Sequence, residues 1–228
     1  MTERMTGGRL VRIFGDTASC EWLLLEPVDA VDREMPAAQA DALSRLCPDK
    51  SFALAGFAVD WQTDLTPWSG PAVFSGQPDF GDGAARTLAC VTDELIPALT
   101  ADRIKRPRVI LGGYSLAGLF ALWAGYQSGV FDGIAAASPS VWYPGWTEYV
   151  AGHAFRARAA YLSLGDREAK TRNPLMKTVD EAIRNQYSVL TAQGVPVELE
   201  WNPGNHFMDA PLRTAKGFAW CMKTLPEA

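Results

Sequence analysis

"RVILGGYSLAGLFALWAGYQSG", residues 108–129, runs from an apolar stretch through a turn of small residues into a second apolar stretch with helical spacing. The first part, "RVILGG" (108–113), is too apolar for a strand with one wet face, so it predicts a strand covered on both sides. The part from 116 to 128 is almost free of charge and predicts a buried helix. Between them stands one hydroxyl, Ser115, with Gly113 two residues before it and Ala117 two after. A serine at a helix start can simply cap it by accepting hydrogen bonds from first-turn amides. Capping sets no limit on the size of its neighbours, whereas a serine forced through a sharp strand-to-helix turn needs small residues at both flanking positions. The placement also gives Ser115 the unpaired N–H groups and positive dipole end of the helix, where a developing oxyanion is stabilised.

Outward from this turn, short apolar runs alternate with helical patterns, the rhythm of parallel strands joined by crossover helices. Strands are predicted at 9–14, 20–26, 51–59, 108–113, 133–138, 159–165 and 195–201, and helices at 34–46, 84–100, 116–128, 172–193 and 208–224. The helix over 172–193 has the clearest start, with Asn173 able to cap and Pro174 suited to the first helical position; Gly194 and Pro196 end it. A glycine- and proline-rich stretch, 64–85, predicts an irregular loop within one domain spanning 1–228, long enough to bury a single large core.

The 228 residues carry 21 Lys and Arg against 26 Asp and Glu, a net charge of −5 without any basic stripe. That balance argues against nucleic acid and anionic membrane as partners. The N-terminus lacks a basic region followed by an apolar run, and no apolar run nears the ~18 residues that span a bilayer, so a cytoplasmic location is expected. Cys20, Cys47, Cys90 and Cys221 are widely spaced without a C-x-x-C pair, which argues against a zinc site or a dithiol motif and for idle thiols. No metal or organic cofactor is expected.

A serine hydroxyl needs a base, and the chain has only two histidines. His206 lies in a polar loop, "NPGNHFMDAP", between the last predicted strand and helix, at the end of the sheet where catalytic groups gather. His153 precedes a strand and falls at the opposite end. The orienting carboxylate should come between serine and histidine in the chain, in the loop after "AAYLSLG", where Asp166 and Glu168 are both available. Glu168 is favoured, because Asp166 can instead bond the backbone of its own turn. Asp209 is expected to cap or charge the start of the last helix.

With these residues placed, the chain resembles an esterase branch of the α/β-hydrolases that includes enterochelin and other siderophore esterases, S-formylglutathione hydrolase, feruloyl esterases and mycolyltransferases. The resemblance runs from about Trp22 to the end through six stretches in order: "WLLLEPVDA", "DLTPW", "DELIPAL", "GGYSLAGLFALW", "AAASPSVWY" and "GNHFM". It implies an α/β-hydrolase fold with a mostly parallel central sheet, a shortened N-terminus lacking one or two outer strands, and no large lid. It puts the nucleophile on Ser115, the base on His206 and the acid on Glu168. The oxyanion hole would use the N–H of Leu116 and a second N–H after "WLLLE"; Pro27 has none, which leaves Val28.

The implied activity is hydrolysis of a small-molecule carboxylic ester or thioester through an acyl-enzyme. An acyltransferase or a non-catalytic binding protein on the same scaffold are the alternatives. Trp61, Tyr114, Trp142 and Tyr143 are expected to line an apolar substrate pocket, with Trp68 and Trp146 close by. The serines of "SPSVWY" are not needed for this chemistry. Trp61 stands where siderophore esterases tend to carry an arginine, which weighs against an anionic siderophore as substrate, though not against ester hydrolysis.

Overall fold

The computed structural model describes residues 1–29, 34–73 and 76–226. One sheet carries β1 (Thr2–Thr6), β2 (Arg9–Phe14), β3 (Trp22–Val28), β4 (Phe52–Ala58), β5 (Arg108–Tyr114), β6 (Gly133–Ala137), β7 (Ala160–Gly165) and β8 (Val197–Asn202). Their spatial order is β1-β2-β4-β3-β5-β6-β7-β8, with β1 and β2 antiparallel and every pair from β4 to β8 parallel. Every predicted strand is present. The short stretch ahead of Trp22 forms both β1 and β2, so the expected loss of outer strands does not occur. β1, "TERMT", escapes a hydropathy reading because its side chains are mostly exposed and it pairs only with β2.

Alternation along the central strands builds two cores. Leu23 and Leu25 of β3 belong to the core on the side of α2 (Ala84–Ala89), α3 (Ile96–Thr100), α4 (Leu116–Gln127), α5 (Trp146–Ala151) and α6 (Val179–Ala192). Trp22 and Leu24 face the other way, onto α1 (Met35–Leu46) and α7 (Ala210–Thr224). This two-sided burial is why these strands read as unbroken apolar runs. The predicted 84–100 helix contains a wider π turn over Cys90–Leu95, just before Pro97, whose missing N–H interrupts the regular ladder. Asn173 does cap: its Oδ1 accepts from the N–H groups of Leu175 and Met176. The turn it starts is 3-10 over Met176–Thr178, however, and the α-helix begins only at Val179.

Pro27 sits in a central strand at little cost. Val28 carbonyl accepts the N–H of Val59, so backbone groups at even positions of β3 face β4 and those of Pro27 face β5. Pairing with β5 has already ended, at Leu25 opposite Leu111. One residue earlier, the side chain of Glu26 is fully buried on the α1 and α7 face, and neither carboxylate oxygen has a hydrogen-bond partner among the described residues. Burial drives its pKa up to about 8 against a weaker opposing influence of Gln39. The unfolded chain releases this proton near the ordinary glutamate value of ~4.3. Stability linked to Glu26 is therefore fully present at acid pH and is lost as the pH rises to about 8. Urea unfolding between about pH 5 and pH 9 should show wild type losing on the order of 3 kcal/mol more stability than Glu26→Gln. Parallel pH profiles would mean that Glu26 is not held protonated in the folded chain.

Candidate active site

β5 ends at Tyr114 and α4 begins at Leu116, leaving Ser115 alone to turn the chain, at φ 57° and ψ −120°. Few non-glycine residues adopt that conformation, and its strain is held by bonds on both sides. Ser115 N–H donates to Ala137 carbonyl (3.2 Å), and Ser115 carbonyl accepts from Leu119 and Ser140 N–H groups (3.0 Å each). A Cβ on Gly113 would lie 2.5 Å from Ala117 Cβ, which is the steric reason for small residues on either side. The Ser115 hydroxyl makes no capping bond. Its Oγ lies 3.1 Å from His206 Nε2 and 3.3 Å from Ser140 Oγ.

His206 follows β8, and its loop is tied down from two strands. Tyr114 hydroxyl donates to the His206 carbonyl (2.8 Å), with the two rings 5.1 Å apart, while Gly204 N–H donates to Asp166 Oδ1 (2.8 Å). His206 Nδ1 lies 2.7 Å from Glu168 Oε2. An ionised carboxylate can only accept, so Nδ1 carries the ring proton and Nε2 is left as the acceptor facing Ser115. Glu168 Oε1 accepts from Ser138 hydroxyl (2.7 Å), Gly165 N–H (2.7 Å) and Arg213 Nη1 (3.0 Å). Burial pushes this carboxyl up, but hydrogen bonding and charge from His206, with the bonds from Ser138 and Gly165, outweigh it and hold Glu168 below the usual glutamate range. Asp166, the alternative acid, is exposed and spent on Gly204 N–H.

These groups stand at the carboxyl ends of β5, β7 and β8, where parallel sheets bind ligands. His153 makes no bond to any of them: it is exposed just after α5, with Nδ1 on Tyr149 carbonyl (2.7 Å) and its ring stacked on Tyr149. Asp209 occupies the position before α7 but makes no side-chain cap bond.

Leu116 opens α4, and as a first-turn residue it has no carbonyl of its own helix to bond, which leaves its N–H beside Ser115. Val28 does not take the place expected of it. Its N–H faces β4 with its carbonyl, and its side chain lines a separate groove of about 150 Å³ with Leu10, Pro36 and Gly56.

Beside Ser115 and His206 lies a recess of about 330 Å³ with apolar walls that include Trp61, Phe80, Trp142, Met176 and Phe207. Gln62 and Gln77 supply its polar rim. Tyr114 and Tyr143 are not on it. Tyr114 is buried under the histidine loop, and Tyr143 donates its hydroxyl to Trp68 carbonyl (2.7 Å) as part of an aromatic scaffold with Trp68 and Phe80. Trp68 and Trp146 also spend their ring N–H groups internally, on Pro144 carbonyl and Gln186.

The serines set aside in the sequence both reach the site: Ser138 bonds Glu168, and Ser140 stands next to Ser115. Ser138 has φ 43°, a strained angle that turns its hydroxyl across the end of the sheet. Arg213 was also missed, since a lone arginine in an amphipathic helix reads as surface. The position of "SPS" directly after a buried strand was the available signal for the serines.

Among the described residues, no group of three or more His, Cys, Asp and Glu is placed to hold a metal ion, and no helix is long and apolar enough to cross a membrane. All four cysteines are buried free thiols.

No family model and no curated protein matches the chain. Solved structures do. An IroE-like serine hydrolase from Shewanella oneidensis aligns with a TM-score of 0.75 at 17% identity, over 93% of this chain and 75% of that one. Siderophore hydrolase EstA from Aspergillus nidulans aligns at 0.70 and 18%, over 95% and 91%. The enterobactin esterase FES from Shigella flexneri aligns at 0.62 and 19%, over 94% of this chain and 55% of that one. At these identities the likeness speaks for architecture, and together with the strand order it establishes that this chain has the α/β-hydrolase fold.

Proposed function

We propose that this chain is a serine hydrolase that cleaves carboxylic esters through an acyl-enzyme. The observation that carries the reading is the unbroken line of contacts from Ser115 Oγ to His206 Nε2 and from His206 Nδ1 to Glu168 Oε2. In this mechanism Nε2 takes the Ser115 proton as Oγ attacks the ester carbonyl. The tetrahedral oxyanion is held by Leu116 N–H at the start of α4, and the imidazolium is stabilised by Glu168. His206 then returns the proton to the leaving alcohol, and water releases the acyl group by the same steps.

The recess narrows the substrate to an uncharged one. Among the described residues its lining holds no Lys, Arg, Asp or Glu, and it is about twice the ~150 Å³ of an apolar cavity that binds benzene. A ring or short chain fits, whereas a carboxylate would lose water and find no cation. The siderophore hydrolases among the structural neighbours are therefore guides to chemistry rather than to substrate. The test compares p-nitrophenyl butyrate with the carboxylate-bearing p-nitrophenyl hemisuccinate. The neutral ester should have a kcat/KM at least ~100-fold higher, about 2.7 kcal/mol. Equal values would show that the anion finds a partner and would remove the neutral-substrate reading.

A further inference from the structure

Arg213 is only 1% exposed, and a buried guanidinium is tolerated only where it is paired and fully bonded. It lies in the first turns of α7 beneath the proposed site, where it touches neither Ser115 nor the recess. Nη1 donates to Glu168 Oε1 (3.0 Å), Tyr114 hydroxyl (3.2 Å) and Ser138 hydroxyl (3.4 Å), and Nη2 donates to Pro203 carbonyl (2.9 Å). One planar group thus links the end of β5, the turn after β6, the acid after β7 and the histidine loop after β8. Tyr114 and Pro203 in turn hold the backbone that carries His206.

We propose that Arg213 is a positioning residue: it pins Oε1 of Glu168 so that Oε2 alone meets His206 Nδ1, and its fixed charge moderates the carboxylate's pull on the imidazolium. The proposal rests on the esterase reading for its consequence in turnover, but the geometry it invokes is testable without turnover.

The electrostatic part has a definite sign. The ionisable groups bonded to His206 or to its loop are Tyr114 from β5, Asp166 and Glu168 after β7, and Arg213 of α7, while Asp209, Glu200 and Lys216 lie on the flanking loop, β8 and α7. Burial keeps the Tyr114 phenol protonated. Asp166 and Asp209 are exposed and screened, and Glu200 is paired with Lys216 (2.5 Å). Glu168 and Arg213 are the buried pair that remains, and they oppose each other. Removing the cation should let the carboxylate favour imidazolium more strongly, by on the order of one pH unit for a nearby unit charge at an effective dielectric of ~20–40.

The experiment follows His206 by NMR, with His153→Asn to leave a single imidazole, alongside pH profiles of kcat/KM. In Arg213→Met the His206 titration midpoint and the acid limb of the profile should both move up by about one pH unit, while kcat falls ~10–100-fold. Arg213→Lys keeps the charge but not the fork. Its midpoint should stay within a few tenths of wild type while kcat falls at least ~5-fold at unchanged KM. A merely structural arginine would lower activity in both variants without moving the midpoint of either. An unmoved midpoint in folded Arg213→Met overturns the electrostatic role, and wild-type kcat in Arg213→Lys overturns the positioning role. If Arg213→Met does not fold, Arg213→Gln, which also removes the charge but keeps a hydrogen-bonding end, takes its place in the midpoint measurement. If wild type hydrolyses no ester, the esterase reading fails, and the midpoints still decide what Arg213 does to His206.

Discussion

Ser115→Ala and His206→Ala should each lower kcat for a neutral p-nitrophenyl ester by about 10⁴–10⁶, and the double variant should be no slower than the worse single one. The non-additivity follows from the arrangement. The hydroxyl is inert until Nε2, 3.1 Å away, removes its proton, and the imidazole has nothing to activate once the hydroxyl is gone. Activity left in Ser115→Ala should come from the oxyanion donors and the recess alone. Neither substitution opens a core cavity, since Ser115 and His206 both line the recess, so circular dichroism should be unchanged. Losses that multiply in the double variant would mean that the two residues act independently and that the shared proton path is wrong.

Glu168→Gln is expected to lower kcat by about 10³–10⁴ with little change in KM. An amide of the same shape can keep Oε1-side contacts, but it presents no anion to Nδ1 and can favour the ring tautomer with the proton on Nε2, where it blocks attack. Asp166→Asn should stay within about threefold of wild type, because that side chain serves Gly204 N–H, a bond an asparagine oxygen can also accept. The reverse pattern would transfer the acid role to Asp166. The pH dependence of stability checks the same assignment. With its folded pKa held below the ordinary glutamate range, Glu168 contributes stability that is present above that range and lost as the pH falls through the lower folded value. Glu168→Gln should therefore lose less stability than wild type on acidification.

The central strands β3 to β7 were legible because they are buried on both faces, so each appears as an apolar run of strand length. β1 was not, because its pairing is made by backbone groups while its side chains face water. Ser115 could be read from small flanking residues set between a strand and a helix: a Cβ on Gly113 would collide with Ala117. His206 could be proposed from its polar loop after the last strand, and chain order narrowed the acid to Asp166 or Glu168 without choosing between them. What sequence could not carry was direction. Val28 has an N–H, but strand alternation points it at β4; Tyr114 and Tyr143 are aromatic and near in sequence to the site, yet their hydroxyls are committed to His206 and Trp68 carbonyls. Arg213 stayed hidden because its four partners come from parts of the chain that meet only in the folded sheet.

The most direct measurement is covalent labelling with a fluorophosphonate probe followed by peptide mass spectrometry. The account predicts one adduct per chain, on the Ser115 hydroxyl, formed at a rate that collapses in His206→Ala. No adduct on wild type, or an adduct on Ser140 that forms equally well without His206, would contradict it.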